Sequence, residues 1–153
     1  MQSYKTNSDS QTKTLAGTIL KIYPKGRIFA LTGELGSGKT TFVQGIAKSL
    51  GIKDSIISPT FVLIRQHKIP KTKKILFHVD LYRLEKEADF KNLGLEDILN
   101  DLNHFIAIEW AEKAKNILPK KVIIVKFKTI DTETREIKIY SSIDKEVSKS
   151  ASV

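Results

Sequence analysis

The sequence predicts an α/β fold with a mostly parallel central sheet, helices on its faces and antiparallel strands at its edges. Three observations carry this expectation. Short apolar runs of strand length alternate with stretches of helical periodicity. A glycine-rich segment joins one such strand directly to a helix. Two β-rich segments with a hairpin loop between them follow the last helical stretch.

Taken in order, Leu15, Ile19, Leu20 and Ile22 predict an amphipathic helix from Ser8 or Ser10 to Tyr23, stopped by the turn Pro24-Lys25-Gly26. Arg27–Thr32 reads as a short buried strand, Gly33–Gly38 as a loop, and Lys39–Leu50 as a helix closed by Gly51. Ile56–Ile57 and Phe61–His67 look extended, separated by Ser58-Pro59. Pro70 and the lysines of 68–74 mark an exposed hairpin connection into the strand Ile75–Val79. Tyr82–Asn103 predicts one or two short helices broken near Gly94. Phe105–Ile108, Lys121–Phe127 and Arg135–Tyr140 read as further strands, the last two joined by the loop 131–134. Residues 1–153 are expected to form a single domain with flexible tails at 1–8 and 145–153.

Composition narrows the function. The chain has 153 residues and no cysteine, which removes disulfide frameworks and thiolate chemistry. Its longest apolar runs, such as Val122-Ile123-Ile124-Val125, are far too short to span a membrane, and Met1–Thr6 lacks the apolar core of a secretory signal. A cytoplasmic location is therefore expected. The net charge of +9 invites a polyanion such as RNA. The excess is nearly all lysine, 22 against 4 arginines, and it is scattered over every segment, which favours a protein partner over a nucleic-acid surface while leaving direct RNA contact open.

The sharpest motif is Gly33-Glu34-Leu35-Gly36-Ser37-Gly38-Lys39-Thr40, which matches G-x-x-x-x-G-K-[ST] between a strand and a helix. Glycines allow the backbone N–H groups to turn inward onto phosphate oxygens, and the following helix adds its positive dipole end. Lys39 is placed to reach the β- and γ-phosphates, and the Thr40 hydroxyl to bind Mg²⁺. A nucleotide-bound Mg²⁺ needs a further acidic oxygen. Asp80 and Glu109 both stand at carboxyl ends of predicted strands, where open α/β sheets bind ligands, and the pattern alone does not choose between them. Ser58-Pro59-Thr60 occupies the place of a switch segment. His78, two residues from Asp80, shares its face and reads as structural. No N-K-x-D, D-x-x-G or L-S-G-G-Q is present, which disfavours GTPases and ABC domains, and four dispersed arginines make a poor kinase lid.

Together, Gly33–Thr41, Ser58-Pro59-Thr60-Phe61, His78-Val79-Asp80-Leu81-Tyr82-Arg83-Leu84, Gly94-Leu95 and Ile108-Glu109-Trp110 resemble the TsaE (YjeE) family, P-loop ATPases of bacterial tRNA threonylcarbamoyladenosine modification. Thr12-x-x-Leu15-Ala16 is similar to that family's T-x-x-L-G, with Ala16 in place of glycine. The likeness extends over about residues 12–140. It implies a P-loop NTPase-like fold, and ATP and Mg²⁺ held by Gly33, Glu34, Gly36, Ser37, Gly38, Lys39, Thr40 and Thr41. It puts Glu109 with Thr40 at the metal, Asp80 in a catalytic role by the γ-phosphate and Thr60 in a switch-like segment. It also implies that Trp110 lies near the nucleotide, with Thr12 and Arg135 by the adenine or sugar. Partnership with TsaB and TsaD follows from the same resemblance. The alternatives are a small-molecule kinase and a nucleotide-dependent switch that binds RNA directly.

Overall fold

The computed structural model describes residues 1–59 and 63–143. The described chain runs β1 (Gln2–Thr6), α1 (Asp9–Ile22), β2 (Ile28–Thr32), α2 (Lys39–Ser49), β3 (Ile64–Lys68), β4 (Ile75–Asp80), α3 (Glu87–Asn92), α4 (Leu95–Asn100), β5 (Phe105–Glu109), a 3-10 turn (Ala111–Ala114), β6 (Ile123–Thr129) and β7 (Arg135–Ser141). The strands form one sheet in the order β1-β7-β6-β2-β5-β4-β3. Its centre, β6-β2-β5-β4, is parallel, while β7, β1 and β3 join through antiparallel pairings at the two sides. The expected α/β class with antiparallel edges is therefore the observed one.

Alternation along the strands builds two apolar layers. Phe29, Leu31, Leu76, Phe105, Ala107, Val125 and Phe127 face α1 and α2. Ile28, Ala30, Phe77, Val79, Ile106 and Ile108 face α3, α4 and the 3-10 turn. β2 is buried on both faces, as a central parallel strand must be, and this explains its unbroken apolar sequence. Burying a side chain as fully as Phe29 or Phe42 contributes roughly 1.5–3 kcal/mol.

Ser8 caps α1 by accepting from the Gln11 N–H at 3.1 Å, so the helix begins where the sequence signal placed it. Gly94, at φ 68°, separates α3 from α4 at the expected break. Two expectations need correction. Residues 1–8 are not a frayed tail: Gln2–Thr6 pair with β7 from Gln2↔Ile139 to Thr6↔Arg135. This strand is nearly all polar, because it lies at the sheet edge and only Tyr4 packs against the core, so periodicity could not reveal it. Ile56–Ile57 is not a strand either; Ile56 plugs the core while Ile57 is 55% exposed. The expected tail 145–153 lies outside the described residues.

α1 and α2 touch through small residues. A Cβ on Gly45 would stand 2.5 Å from the Lys13 carbonyl oxygen and 2.8 Å from the Ala16 Cβ. The first obstacle is backbone, so α1 would have to move. Gly45→Ala is expected to destabilise the chain by about 1–3 kcal/mol, although alanine is the better helix former. A urea midpoint equal to or above that of the unmodified protein would refute this close approach.

Candidate functional site

β2 ends at Thr32, and the chain turns at once into the loop that opens α2. Gly33 has φ +148°, and a Cβ there would meet the Phe127 carbonyl oxygen at 2.8 Å and Ser37 Oγ at 2.7 Å. Only glycine lets the loop leave the sheet so close to β6. Gly38 stands in the left-handed region as N-cap of α2 and offers no side-chain cap, so the first N–H groups of the helix face the cleft.

The Lys39 ammonium is folded into this loop. It donates to the Gly33 carbonyl at 2.6 Å and the Glu34 carbonyl at 2.8 Å, with Ser37 Oγ at 3.4 Å. Trp110 lies over it, 4.2 Å from the ammonium to the ring centroid. Burial pushes the Lys39 pKa down, opposed by the charges of Glu109, Glu112 and Asp80. Trp110 itself is held at φ 57°, a left-handed conformation that turns its ring back over the loop, and Tyr82 packs on it with centroids 5.0 Å apart.

Strand register delivers the acids. Asp80 and Glu109 are paired positions at the ends of parallel β4 and β5, on the face that carries α2. Glu109 Oε1 accepts from the Thr40 hydroxyl at 2.8 Å, and Oε2 accepts from His78 Nε2 at 2.5 Å. Asp80 is engaged differently: Oδ2 accepts from the Ser58 hydroxyl at 2.7 Å and Oδ1 from the Tyr82 N–H at 2.9 Å. Both carboxylates are buried, at 3% and 4% exposure, yet both line the cleft.

That cleft has a volume of about 580 Å³ and runs from Trp110 past residues 35–41 to Asp9, Thr132 and Arg135. Arg135 braces the loop from the far side, donating from Nη2 to the Gly36 carbonyl at 3.2 Å. The structure thus brings together Gly36, Ser37, Gly38, Lys39, Thr40, Thr41, Asp80, Glu109, Trp110 and Arg135. Gly33 and Glu34 reach the site through their carbonyls on Lys39 rather than by lining the cleft. Thr12 is not brought to it: the side chain is 2% exposed and bonded to the Thr6 hydroxyl at 2.8 Å, closing β1 onto α1. Thr60 lies outside the described residues. Sequence reasoning missed Asp9 and Thr132, which carry no motif, and gave His78 no part in the site. The H-x-D spacing was the available signal.

The residue pattern of the family described as threonylcarbamoyl adenosine biosynthesis protein TsaE matches residues 6–137. The chain belongs to the TsaE family. The matched span holds every cleft residue named above. Among TsaE relatives, the tRNA threonylcarbamoyladenosine biosynthesis protein TsaE of Rickettsia bellii is 38% identical over 130 residues, covering 84% of this chain and 88% of its own. The TsaE of Borreliella burgdorferi is 42% identical over 97 residues, covering 63% of this chain and 69% of its own. The crystal structure of YdiB from Bacillus subtilis superposes with a TM-score of 0.71 at 26% identity, over 92% of this chain and 84% of that one. The TsaE resemblance read from the motifs is thus the family the chain belongs to, and its fold is that of a solved relative.

Proposed function

We propose that this chain is a P-loop ATPase that hydrolyses ATP with Mg²⁺ and thereby supports a TsaB–TsaD complex in tRNA N6-threonylcarbamoyladenosine modification. The observation that carries the reading is the Thr40–Glu109 contact of 2.8 Å beside the buried Lys39, at the open N-terminus of α2. A hydroxyl and a carboxylate are the hard oxygen donors Mg²⁺ prefers. Among the described residues no group of three or more His, Cys, Asp or Glu could hold a metal unaided. Phosphate oxygens and water would complete the coordination of the ion. When bound, Mg²⁺ supplies charge neutralisation at the phosphates.

The chain's own residues do the rest. Backbone N–H groups of 36–40 would hold the triphosphate, and Lys39 would offset charge on the β- and γ-phosphates as the bond to the γ-phosphoryl loosens. Asp80, fixed at both oxygens by Ser58 and Tyr82, orients the attacking water. Asp9, Thr132 and Arg135 stand where the nucleoside end would extend.

Arg135 is the one arginine lining the cleft among the described residues, and it is engaged by the carbonyls of Gly36, Asp131 and Thr134. Among the described residues, no arginine lining the cleft is left unengaged to serve as a finger. Hydrolysis by the isolated chain is therefore expected to be slow, and to rise roughly 10-fold or more with the TsaB–TsaD pair. Phosphate release measured with and without that pair tests this. A fast isolated enzyme indifferent to both proteins would contradict it, and a phosphorylated metabolite formed in step with ADP would mark a kinase instead.

A further inference from the structure

We propose that His78 is a positioning residue for the metal-binding carboxylate, fixing Glu109 so that its Oε1 edge is presented beside Thr40. This rests on the ATPase reading above and assigns a role to a residue that the sequence alone reads as structural.

The geometry is specific. His78 sits in the middle of β4 with no solvent exposure, on the face that carries α2. Its register partner on β5 is Ala107, and Glu109 stands two residues further along the same face. The small Ala107 side chain leaves the imidazole room to lean along the sheet toward Glu109. The result is the 2.5 Å contact from Nε2 to Oε2, while Thr40 holds Oε1 at 2.8 Å. The two carboxylate oxygens are therefore gripped from opposite sides, one by the strand floor and one by the first turn of α2. A buried carboxylate with one free oxygen could rotate about its last torsion, which is soft; with His78 in place it has one orientation.

The hydrogen-bond inventory points the same way. Facing a carboxylate, Nε2 carries the proton and donates. Nδ1 is buried with no partner among the described residues. The contact His78 makes from its ring is therefore given to Glu109. Outer partners of metal ligands characteristically act in this way, and their loss weakens metal binding about 10- to 100-fold.

The test compares His78→Leu, which removes the donor, with His78→Gln, which keeps an N–H near the Nε2 position. Mn²⁺ is titrated into each protein with a nonhydrolysable ATP analogue, and free Mn²⁺ is read by electron paramagnetic resonance. Melting temperatures are taken in parallel. The expected result is a loss of Mn²⁺ affinity of about 10- to 100-fold in His78→Leu, most of it restored in His78→Gln. If both variants melt lower but bind Mn²⁺ as the unmodified chain does below the melting range, His78 is only a core residue and the proposal falls. Should neither variant fold, nitrogen-15 resonances of the unmodified imidazole decide: the Nε2–H bond to Glu109 must persist when metal and nucleotide bind, and its disappearance overturns the proposal. An unmodified chain that takes up no Mn²⁺ with the nucleotide defeats the ATPase reading itself and this role with it. Normal uptake by both the unmodified chain and His78→Leu defeats the role of His78 alone.

Discussion

Lys39→Ala is expected to weaken ATP binding by roughly 10- to 100-fold, the worth of one or two charge-assisted hydrogen bonds, and to lower turnover about 100-fold or more. The reason lies in how the ammonium is stored. In the free protein it is 4% exposed, satisfied by the Gly33 and Glu34 carbonyls and covered by the face of Trp110. Those partners are held by the same glycine loop whose N–H groups would receive the phosphates, so the cation is already at the site when a nucleotide arrives. Removing it leaves the cradle with its N–H groups but no full positive charge against a triphosphate. Because Lys39 also ties residues 33 and 34 to α2, the variant's melting temperature should be measured alongside a fluorescent-nucleotide titration. A folded Lys39→Ala chain that still binds ATP tightly would contradict the cradle.

Asp80→Asn is expected to leave ATP affinity within a few-fold and to reduce turnover about 100-fold or more. An asparagine can keep both local bonds, accepting from the Tyr82 N–H and donating from its amide to the Ser58 oxygen. What disappears is the negative charge and the second acceptor that would align water. Glu109 predicts the opposite pattern, because it touches Thr40 and His78 rather than Ser58 and the Tyr82 backbone. Glu109→Gln should raise the Mg²⁺ requirement before it touches anything else. Single-turnover assays over a range of Mg²⁺ separate the two. Equal loss of binding and turnover in Asp80→Asn would move Asp80 to the metal and undo this division of labour.

The two acids show how far the pattern of residues reaches. Asp80 and Glu109 each end an apolar strand, so spacing alone leaves them equivalent. They are neighbours in register and differ only in which donors reach them: Ser58 and the Tyr82 backbone for one, Thr40 and His78 for the other. Those donors are 22, 2, 69 and 31 residues away along the chain, and all but the Tyr82 N–H depend on how β4 and β5 meet α2 and the connection that carries Ser58. Thr12 makes the reverse point. Its motif resemblance suggested a place by the nucleotide, but β1 pairs with β7 and buries it against Thr6.

By itself the sequence determined the layer architecture, the glycine-rich loop between β2 and α2 and the helix starts, because these are written in local rules: apolar period, glycine tolerance of left-handed backbone and side-chain capping. Only the tertiary structure decided that a polar N-terminal segment is an edge strand, that Arg135 braces the loop it approaches from 99 positions away, and that His78 grips Glu109. Each of those depends on strand order and register, which bring distant residues within hydrogen-bond reach and leave no periodic trace in the chain.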